Sequence, residues 1–107
     1  MKLVIAIVNN DDATNVANEL LNKGYPATKM ASTGGFLRLG NTTFLVGVSE
    51  KDVDSVLEII KEHSSKRMQL ISDNEPYSIT DKPQQTVQVT VGGATVFVVD
   101  VDRFEKL

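Results

Sequence analysis

The run KLVIAIV at residues 2–8 decides the fold, because it is continuously apolar after its lysine and rich in β-branched residues. Turn-forming and capping residues follow it directly, with the sequence NNDD at residues 9–12. This pattern predicts a buried strand that ends at a turn. From Asp12 to a stop at Gly24, apolar residues then recur at the three-and-four spacing of an amphipathic helix. They are Ala13, Val16, Ala17, Leu20 and Leu21.

Further segments continue the pattern to residue 63. Residues 27–32 can extend, Thr-Gly-Gly at residues 33–35 breaks the extension, and TTFLVGV at residues 42–48 predicts another strand. Ser49 lies three residues before Asp52, which is the spacing of a capping box. The apolar stripe behind it predicts a second helix that ends near residue 63; its members are Val53, Val56, Leu57 and Ile60.

The last third of the chain predicts one long loop and one hairpin. Residues 64–84 contain two prolines and few strongly apolar residues, so we expect a loop longer than most connections in small domains. Such loops are often binding loops. Residues 85–91 and 94–101 flank the pair Gly92 and Gly93, which predicts a two-residue β-hairpin.

The element order predicts a single α+β domain over residues 1–107. Strand, helix, strand, strand, helix and strand follow one another in the order of the ferredoxin-like βαββαβ sandwich, and an extra C-terminal strand comes last. At 107 residues, the chain has the usual length of one domain.

The strands predict that both faces of the sheet are buried. Within residues 2–8, Val4, Ala6 and Val8 point to one side, whereas Leu3, Ile5 and Ile7 point to the other. Two short helices can cover only one face, so we expect the second face to meet another subunit. The alternative is that the long loop, or the C-terminal segment at residues 103–104, folds over this face.

Composition excludes several classes of function. The chain has no cysteine, hence no disulfide framework and no thiolate nucleophile. Its net charge of −3 has the wrong sign for a domain that binds polymeric nucleic acid or an anionic membrane. No apolar run reaches the ~20 residues that span a bilayer, and the N-terminal run lacks a signal cleavage site. We therefore expect a cytoplasmic protein.

The region from residue 28 to residue 47 is the densest in ligand-binding chemistry. GFLRLGNT at residues 35–42 resembles a Walker loop, but Asn41 stands where the lysine belongs and a strand follows instead of a helix. The simplest interpretation is a wide glycine-rich hairpin loop. The functional interpretation is a pocket for a flat anionic ligand such as a nucleotide, with Phe36 stacking on a ring, Asn41 reading an edge, and Thr28 or Arg38 donating to oxygens.

Nothing comparable supports catalysis or a metal site. His63 is the only imidazole, and its place at the end of an acidic helix suits a favourable C-terminal cation. The carboxylates of that helix alternate with lysines, as on an ordinary solvated face. Lys66 and Arg67 could reach an anion, although basic residues after a helix are commonly only partners of its dipole.

Three segments together resemble the PstA (DarA) family of PII-like cyclic di-AMP receptors from Gram-positive bacteria. They are KLVIAIV, the run ATKMASTGGFLRLGNTTFLVGV at residues 27–48, and VGGATVFVVDVDRF at residues 91–104. The resemblance implies a homotrimer of ferredoxin-like subunits, with one cyclic di-AMP in each cleft between neighbours. It also implies signalling through loop order instead of catalysis, with no cofactor beyond this ligand.

The resemblance also implies which residues line the nucleotide pocket. Phe36 and Leu37 would pack near adenine, and Asn41 with the Gly47 backbone would read its edge. The glycine-rich loop spans residues 32–41, and residues 64–84 match the family's long mobile loop. Gly92 and Gly93 would approach from the hairpin of the neighbouring subunit. The full implied set is Thr28, Gly35, Phe36, Leu37, Asn41, Gly47, Gly92 and Gly93.

One position departs from the family pattern. Familiar members have an arginine two residues before Thr28, where it helps to hold a phosphate, whereas this chain has Pro26. The change removes a charge-assisted hydrogen bond of roughly 1.5–3 kcal/mol, so we expect weaker affinity unless Lys29 or Arg38 supplies the phosphate contact.

The sequence therefore favours a non-enzymatic second-messenger sensor that binds cyclic di-AMP and relays it to a protein partner. The first alternative is a PII-like sensor of an adenine nucleotide such as ATP, or a trimeric adaptor with a weakened nucleotide site. The last is an acylphosphatase-like hydrolase. It needs a phosphate-binding arginine loop directly after the first strand, where this chain has the acidic NNDD.

Overall fold

A computed structural model of the protein describes residues 1–30, 40–72 and 86–107. In these ranges the chain forms two helices and six strands. In chain order they are β1 (Lys2–Asn9), α1 (Asn10–Asn22), β2 (Thr28–Met30), β3 (Asn41–Val48), α2 (Val53–His63), β4 (Arg67–Ser72), β5 (Thr86–Val91) and β6 (Ala94–Asp100).

The main sheet has the order β2-β3-β1-β6, and all of its neighbouring strands are antiparallel. The central strand is β1, the apolar run at the N-terminus. With α1 and α2 packed on one face, this arrangement confirms the predicted α+β, ferredoxin-like fold. All seven predicted helices and strands are present, with bounds within about three residues of the prediction.

The core lies between the helices and the face of the sheet that carries Val4, Ala6 and Val8. Phe44 and Val46 of β3 are cross-strand partners of Ala6 and Val4, so they share this face. Each fully buried aliphatic or aromatic side chain of this kind stabilises the fold by about 1.5–3 kcal/mol. The helices contribute the residues that pack against them, which are Ala13, Val16, Leu20, Val56, Ile59 and Ile60.

The opposite face of the sheet remains apolar and partly open. Phe97 and Val99 of β6 pair with Ile5 and Leu3, and they are 48% and 41% exposed. Phe104 is itself 63% exposed, so the C-terminal segment does not bury its ring on this face. The alternative in which residues 103–104 fold over this face is therefore wrong for Phe104, the aromatic residue of that segment.

The predicted hairpin between β5 and β6 is wrong. β5 pairs with β4 in a separate two-stranded sheet, and β6 pairs with β1 as the fourth strand of the main sheet. Gly92 and Gly93 both have a φ of +81°, which a tight two-residue turn also requires. The glycine pair therefore has the same sequence pattern in this connection as in a hairpin turn. The extra strands thus form an insertion before the last core strand and not a C-terminal addition.

The predicted long loop over residues 64–84 is also partly wrong, because Arg67–Ser72 is β4. Its segment RMQLIS has only three strongly apolar residues, and it becomes a strand by pairing with β5 along its whole length. Residues 73–84 of that prediction lie outside the described residues, as do residues 32–39 of the predicted glycine-rich loop.

The base of the β4–β5 hairpin is attached to the core at two points. The Gly93 N–H donates a hydrogen bond to the Ser64 carbonyl oxygen. Arg67 makes a two-pronged contact with the Asp12 carboxylate, with nitrogen–oxygen distances of 3.1 and 3.2 Å. The Asp12 side chain is only 9% exposed, and a carboxylate so buried is costly without such a partner. The ion pair therefore links the start of α1 to the start of β4.

A Gly92→Ala substitution tests this attachment. A Cβ at residue 92 would lie 2.7 Å from the Ser65 carbonyl oxygen and 2.6 Å from Arg67 Nη1, so the hairpin base must shift. Gly40→Ala is the matched control, because Gly40 has nearly the same φ, +85°, but nothing lies within 4 Å of an added Cβ. We expect urea unfolding to show that Gly92→Ala loses about 1–3 kcal/mol more than Gly40→Ala. Equal losses would contradict a tightly packed hairpin base.

Candidate functional site

The candidate site lies where β1 ends and β3 and β6 begin. This line of strand ends is called the edge of the main sheet here. The antiparallel register places Asn9 opposite Asn41 on one side of β1 and Val8 opposite Ala94 on the other. Asn9 also caps α1, because its side-chain oxygen accepts a hydrogen bond of 2.8 Å from the Asp11 N–H. The sheet topology therefore gathers residues from three distant parts of the sequence at this edge.

A cavity of about 390 Å³ opens at this edge. Among the described residues, its lining combines two side-chain amides, two threonine hydroxyls, two adjacent glycines and one lysine, with no carboxylate. Such a lining offers donors for oxygen atoms, acceptors for amino groups, and one positive charge. The residues are Ile7, Asn9, Asn41, Lys66, Thr90, Gly92, Gly93, Ala94 and Thr95.

A second cavity, of about 340 Å³, lies on the other side of Asn41. Lys29 is the only charged residue in the described part of its lining, and the polar residues there are again amides and hydroxyls. Asn41 is thus shared by two cavities, each with one lysine and no acidic residue among the residues that the structure describes. The lining residues are Asn10, Ala13, Thr14, Lys29, Met30, Asn41 and Thr42.

Hydrogen bonds hold the start of β3 against the start of α1. The Asn10 N–H donates to the Gly40 carbonyl oxygen at 2.6 Å, and the Thr42 hydroxyl donates to the Asn10 side-chain oxygen. These contacts bracket Asn41 on both sides along the chain. Its backbone position is therefore fixed by the fold, which is what a residue that reads a ligand edge requires.

The electrostatics of this edge favour an anion, although the chain carries a net charge of −3. Of the NNDD carboxylates that follow β1, that of Asp12 is buried and already paired with Arg67. Lys29 and Lys66 face the two cavities. Within the described residues, no group of three or more histidine, aspartate or glutamate side chains is arranged to hold a metal ion.

The structure brings some of the predicted site residues together and separates others. Asn41, Gly92 and Gly93 line one cavity, and Lys29 lines its neighbour. Thr28 is opposite Leu45 on the open face of the sheet, which also carries Gly47. Asn41 and Gly47 lie at opposite ends of β3, six residues and about 20 Å apart along the strand. The remaining predicted residues, Gly35, Phe36, Leu37 and Arg38, lie outside the described residues.

Sequence reasoning misses three polar residues of this cavity and gives a fourth too little weight. The local pattern indicates Asn9 only as a turn and capping residue, and Thr90 and Thr95 only as strand residues. Lys66 can reach an anion, but its place after a helix favours a role beside the helix end. No local signal distinguishes these four, because they meet only through the pairing of strands that are distant in sequence.

Within the part of the chain that the structure describes, neither helix is long and apolar enough to cross a membrane.

Comparisons with known proteins agree with this geometry. A family model described as "Cyclic-di-AMP receptor" matches residues 1–107. The chain is 36% identical to the Nitrogen fixation nifHD region GlnB-like protein 1 of Methanothermococcus thermolithotrophicus, over 61% of this chain and 74% of that protein. It is also similar to a solved structure, that of a functionally unknown protein from Pediococcus pentosaceus ATCC 25745. The two share 44% identity with a TM-score of 0.76, over 99% of this chain and 96% of that one.

The family match extends over the whole chain, and the fold has the expected sheet order with two helices on one face. The chain therefore belongs to the cyclic-di-AMP receptor family of PII-like signalling proteins.

Proposed function

We propose that this protein is a non-enzymatic, cytoplasmic sensor that binds cyclic di-AMP in the clefts between the subunits of a homotrimer. Binding changes the loops next to the cleft, and this change is passed to a protein partner. The observation that carries the proposal is the cavity that joins Asn41 to Gly92 and Gly93, in a chain whose whole length matches a cyclic-di-AMP receptor family.

The chemistry of the cavity suits an adenine dinucleotide. A side-chain amide such as that of Asn41 can donate to and accept from the edge of adenine. Glycine allows a phosphate or a base to approach the backbone closely, and Lys29 and Lys66 match the negative charge of phosphodiester groups. Phe36 and Leu37 are proposed to pack against the base, with Gly35 and Arg38 beside them.

The open sheet face supports the proposal of a cleft between subunits. Phe97 and Val99 are apolar and substantially exposed on this face, beside Leu3 and Ile5. A contiguous apolar patch of this kind is typical of a subunit interface. Contact through this face gives the homotrimer that we propose.

The separation of Asn41 from Gly47 also supports a shared site. The two residues are about 20 Å apart along β3, too far to read the same edge of one base from within one chain. We propose that Asn41 of one subunit and Gly47 and Thr28 of its neighbour line the same cleft.

The hairpin of β4 and β5 is positioned to pass on the signal. Lys66 precedes β4, Thr90 lies in β5, and Gly92 and Gly93 follow it, and all four line the cavity. A ligand that contacts them acts directly on both strands at the hairpin base. The partner is proposed to recognise the hairpin and the residues between its strands.

Isothermal titration calorimetry tests the ligand. With cyclic di-AMP at low salt, we expect saturable heat and one ligand per chain. Cyclic di-GMP and ATP serve as comparisons. We expect neither to displace cyclic di-AMP at equal concentration, because the cleft is expected to read two adenine edges and two phosphodiesters. Absence of heat with cyclic di-AMP would refute the proposal, and tighter binding of ATP would favour a sensor of that nucleotide instead.

An Asn41→Ala variant tests the proposed reading of the base. Loss of the amide leaves an adenine edge unpaired, so we expect the Kd for cyclic di-AMP to rise more than tenfold, with the oligomer intact. Asn18→Ala is a matched control, since Asn18 is exposed on α1 and lines none of the cavities described above. An unchanged Kd for Asn41→Ala would remove Asn41 from this role.

A further inference from the structure

Among the described residues, Lys66 is the only charged one that lines the 390 Å³ cavity beside Asn41, Gly92 and Gly93. It lies between α2 and β4, one residue before the hairpin begins. The Lys66 ammonium makes no ion pair with any carboxylate of the described residues, in contrast to the neighbouring Arg67, which is bound to Asp12. Within residues 1–30, 40–72 and 86–107, the lysine therefore presents a positive charge to the cavity that no carboxylate neutralises.

The path of the Lys66 side chain is restricted by Gly93. A Cβ at residue 93 would lie 2.8 Å from Lys66 Cγ and 3.3 Å from Lys66 Cε, so the lysine stem takes the space that a side chain at residue 93 would occupy. The stem thus crosses the backbone of a residue that itself lines the cavity. Contacts of this kind leave the lysine fewer conformations in the free protein, so less side-chain entropy is lost when the ammonium binds an anion.

The backbone on both sides of Lys66 is also held in place. The Ser64 carbonyl oxygen accepts the Gly93 N–H, and the Ser64 hydroxyl donates to the Ile60 carbonyl oxygen at the end of α2. Arg67 is anchored to the buried Asp12. The Lys66 backbone therefore lies between two residues that the fold holds in place, directly before the first residue of β4.

We propose that Lys66 is a specificity-determining residue of the cyclic di-AMP site, whose ammonium contacts a phosphodiester oxygen of the ligand. The assignment rests on the proposed function. In the proposed cleft, which Asn41 of one subunit shares with Thr28 of its neighbour, the Lys66 charge would stand in for the arginine that the family resemblance places two residues before Thr28, where this chain has Pro26. In this assignment Lys66 recognises a phosphodiester through its charge, and Asn41 recognises the base.

The competing explanation is that Lys66 acts only on the dipole of α2, because it follows the end of that helix. In that case its charge affects stability but not ligand affinity. Lys61 distinguishes the two explanations. It lies in the last turn of α2 and lines an adjacent cavity, of about 420 Å³, to which Lys66 also contributes, but it does not line the cavity of Asn41.

The test compares the cyclic di-AMP affinity of wild type with that of three variants, Lys66→Gln, Lys66→Arg and the matched control Lys61→Gln. Lys66→Gln and Lys61→Gln remove the same charge from the same part of the fold. At about 0.05 M NaCl we expect Lys66→Gln to raise the Kd about five- to tenfold, whereas Lys66→Arg and Lys61→Gln stay within about twofold of wild type.

The salt dependence separates a charge contact from a structural effect. The difference between wild type and Lys66→Gln should shrink to about twofold or less at about 0.5 M NaCl, because salt screens the contact. Binding of adenosine, which has no phosphate, should be the same in both proteins wherever it is measurable. Thermal unfolding of each variant checks that the fold is intact.

Two results would overturn the assignment while leaving the proposed function in place. One is a Lys66→Gln Kd within twofold of wild type at low salt. The other is a loss of affinity that is equal at both salt concentrations, or that Lys61→Gln shares, as expected of a structural role. Failure of the wild-type protein to bind cyclic di-AMP would instead overturn the proposed function, and the assignment with it.

Discussion

The structure depends on one constraint, which is that the central strand β1 is apolar on both sides while the two helices cover only one. Val4, Ala6 and Val8 are fully or almost fully buried under α1 and α2. Leu3 and Ile5 pair on the opposite face with Val99 and Phe97, which remain 41% and 48% exposed. The sheet thus has one face that is buried in the hydrophobic core and an opposite face on which apolar side chains remain partly exposed. A neighbouring subunit is the simplest way to cover that opposite face, and would create the clefts that we propose for the ligand.

The same antiparallel register explains where the site lies. The end of β1 meets the starts of β3 and β6, which brings Asn9, Asn41 and Ala94 to one edge. The β4–β5 hairpin is inserted directly before β6, so its base reaches the same edge with Lys66, Gly92 and Gly93. A ligand at this edge is therefore in contact both with the rigid sheet and with the attached hairpin. This geometry is suited to a sensor, because binding at the sheet can alter the element that is least integrated into the core.

Much of the fold could be predicted from the sequence because its main elements have strong local patterns. Two apolar runs, KLVIAIV and TTFLVGV, predict strands, and two amphipathic stripes with clear ends predict helices. The structure has these segments as β1, β3, α1 and α2. β4 was missed because RMQLIS is a strand only in the presence of β5, a partner whose pairing no local pattern encodes. Gly92 and Gly93 fitted a hairpin because their positive φ values suit one, but strand pairing is decided by tertiary contacts. In the site, Asn41 is predicted by its place in the glycine-rich segment as well as by the family resemblance, and Gly92 and Gly93 by the resemblance alone. Lys66, Thr90 and Thr95 join them only through the pairing of distant strands.

The central claim is that the uncovered face of the sheet is completed by other copies of the chain. Sedimentation equilibrium of the ligand-free protein at micromolar concentration measures this most directly. The account predicts a mass of about 35 kDa, three times the 11.7 kDa of one chain. A mass of 11.7 kDa that persists across the concentration range would contradict it.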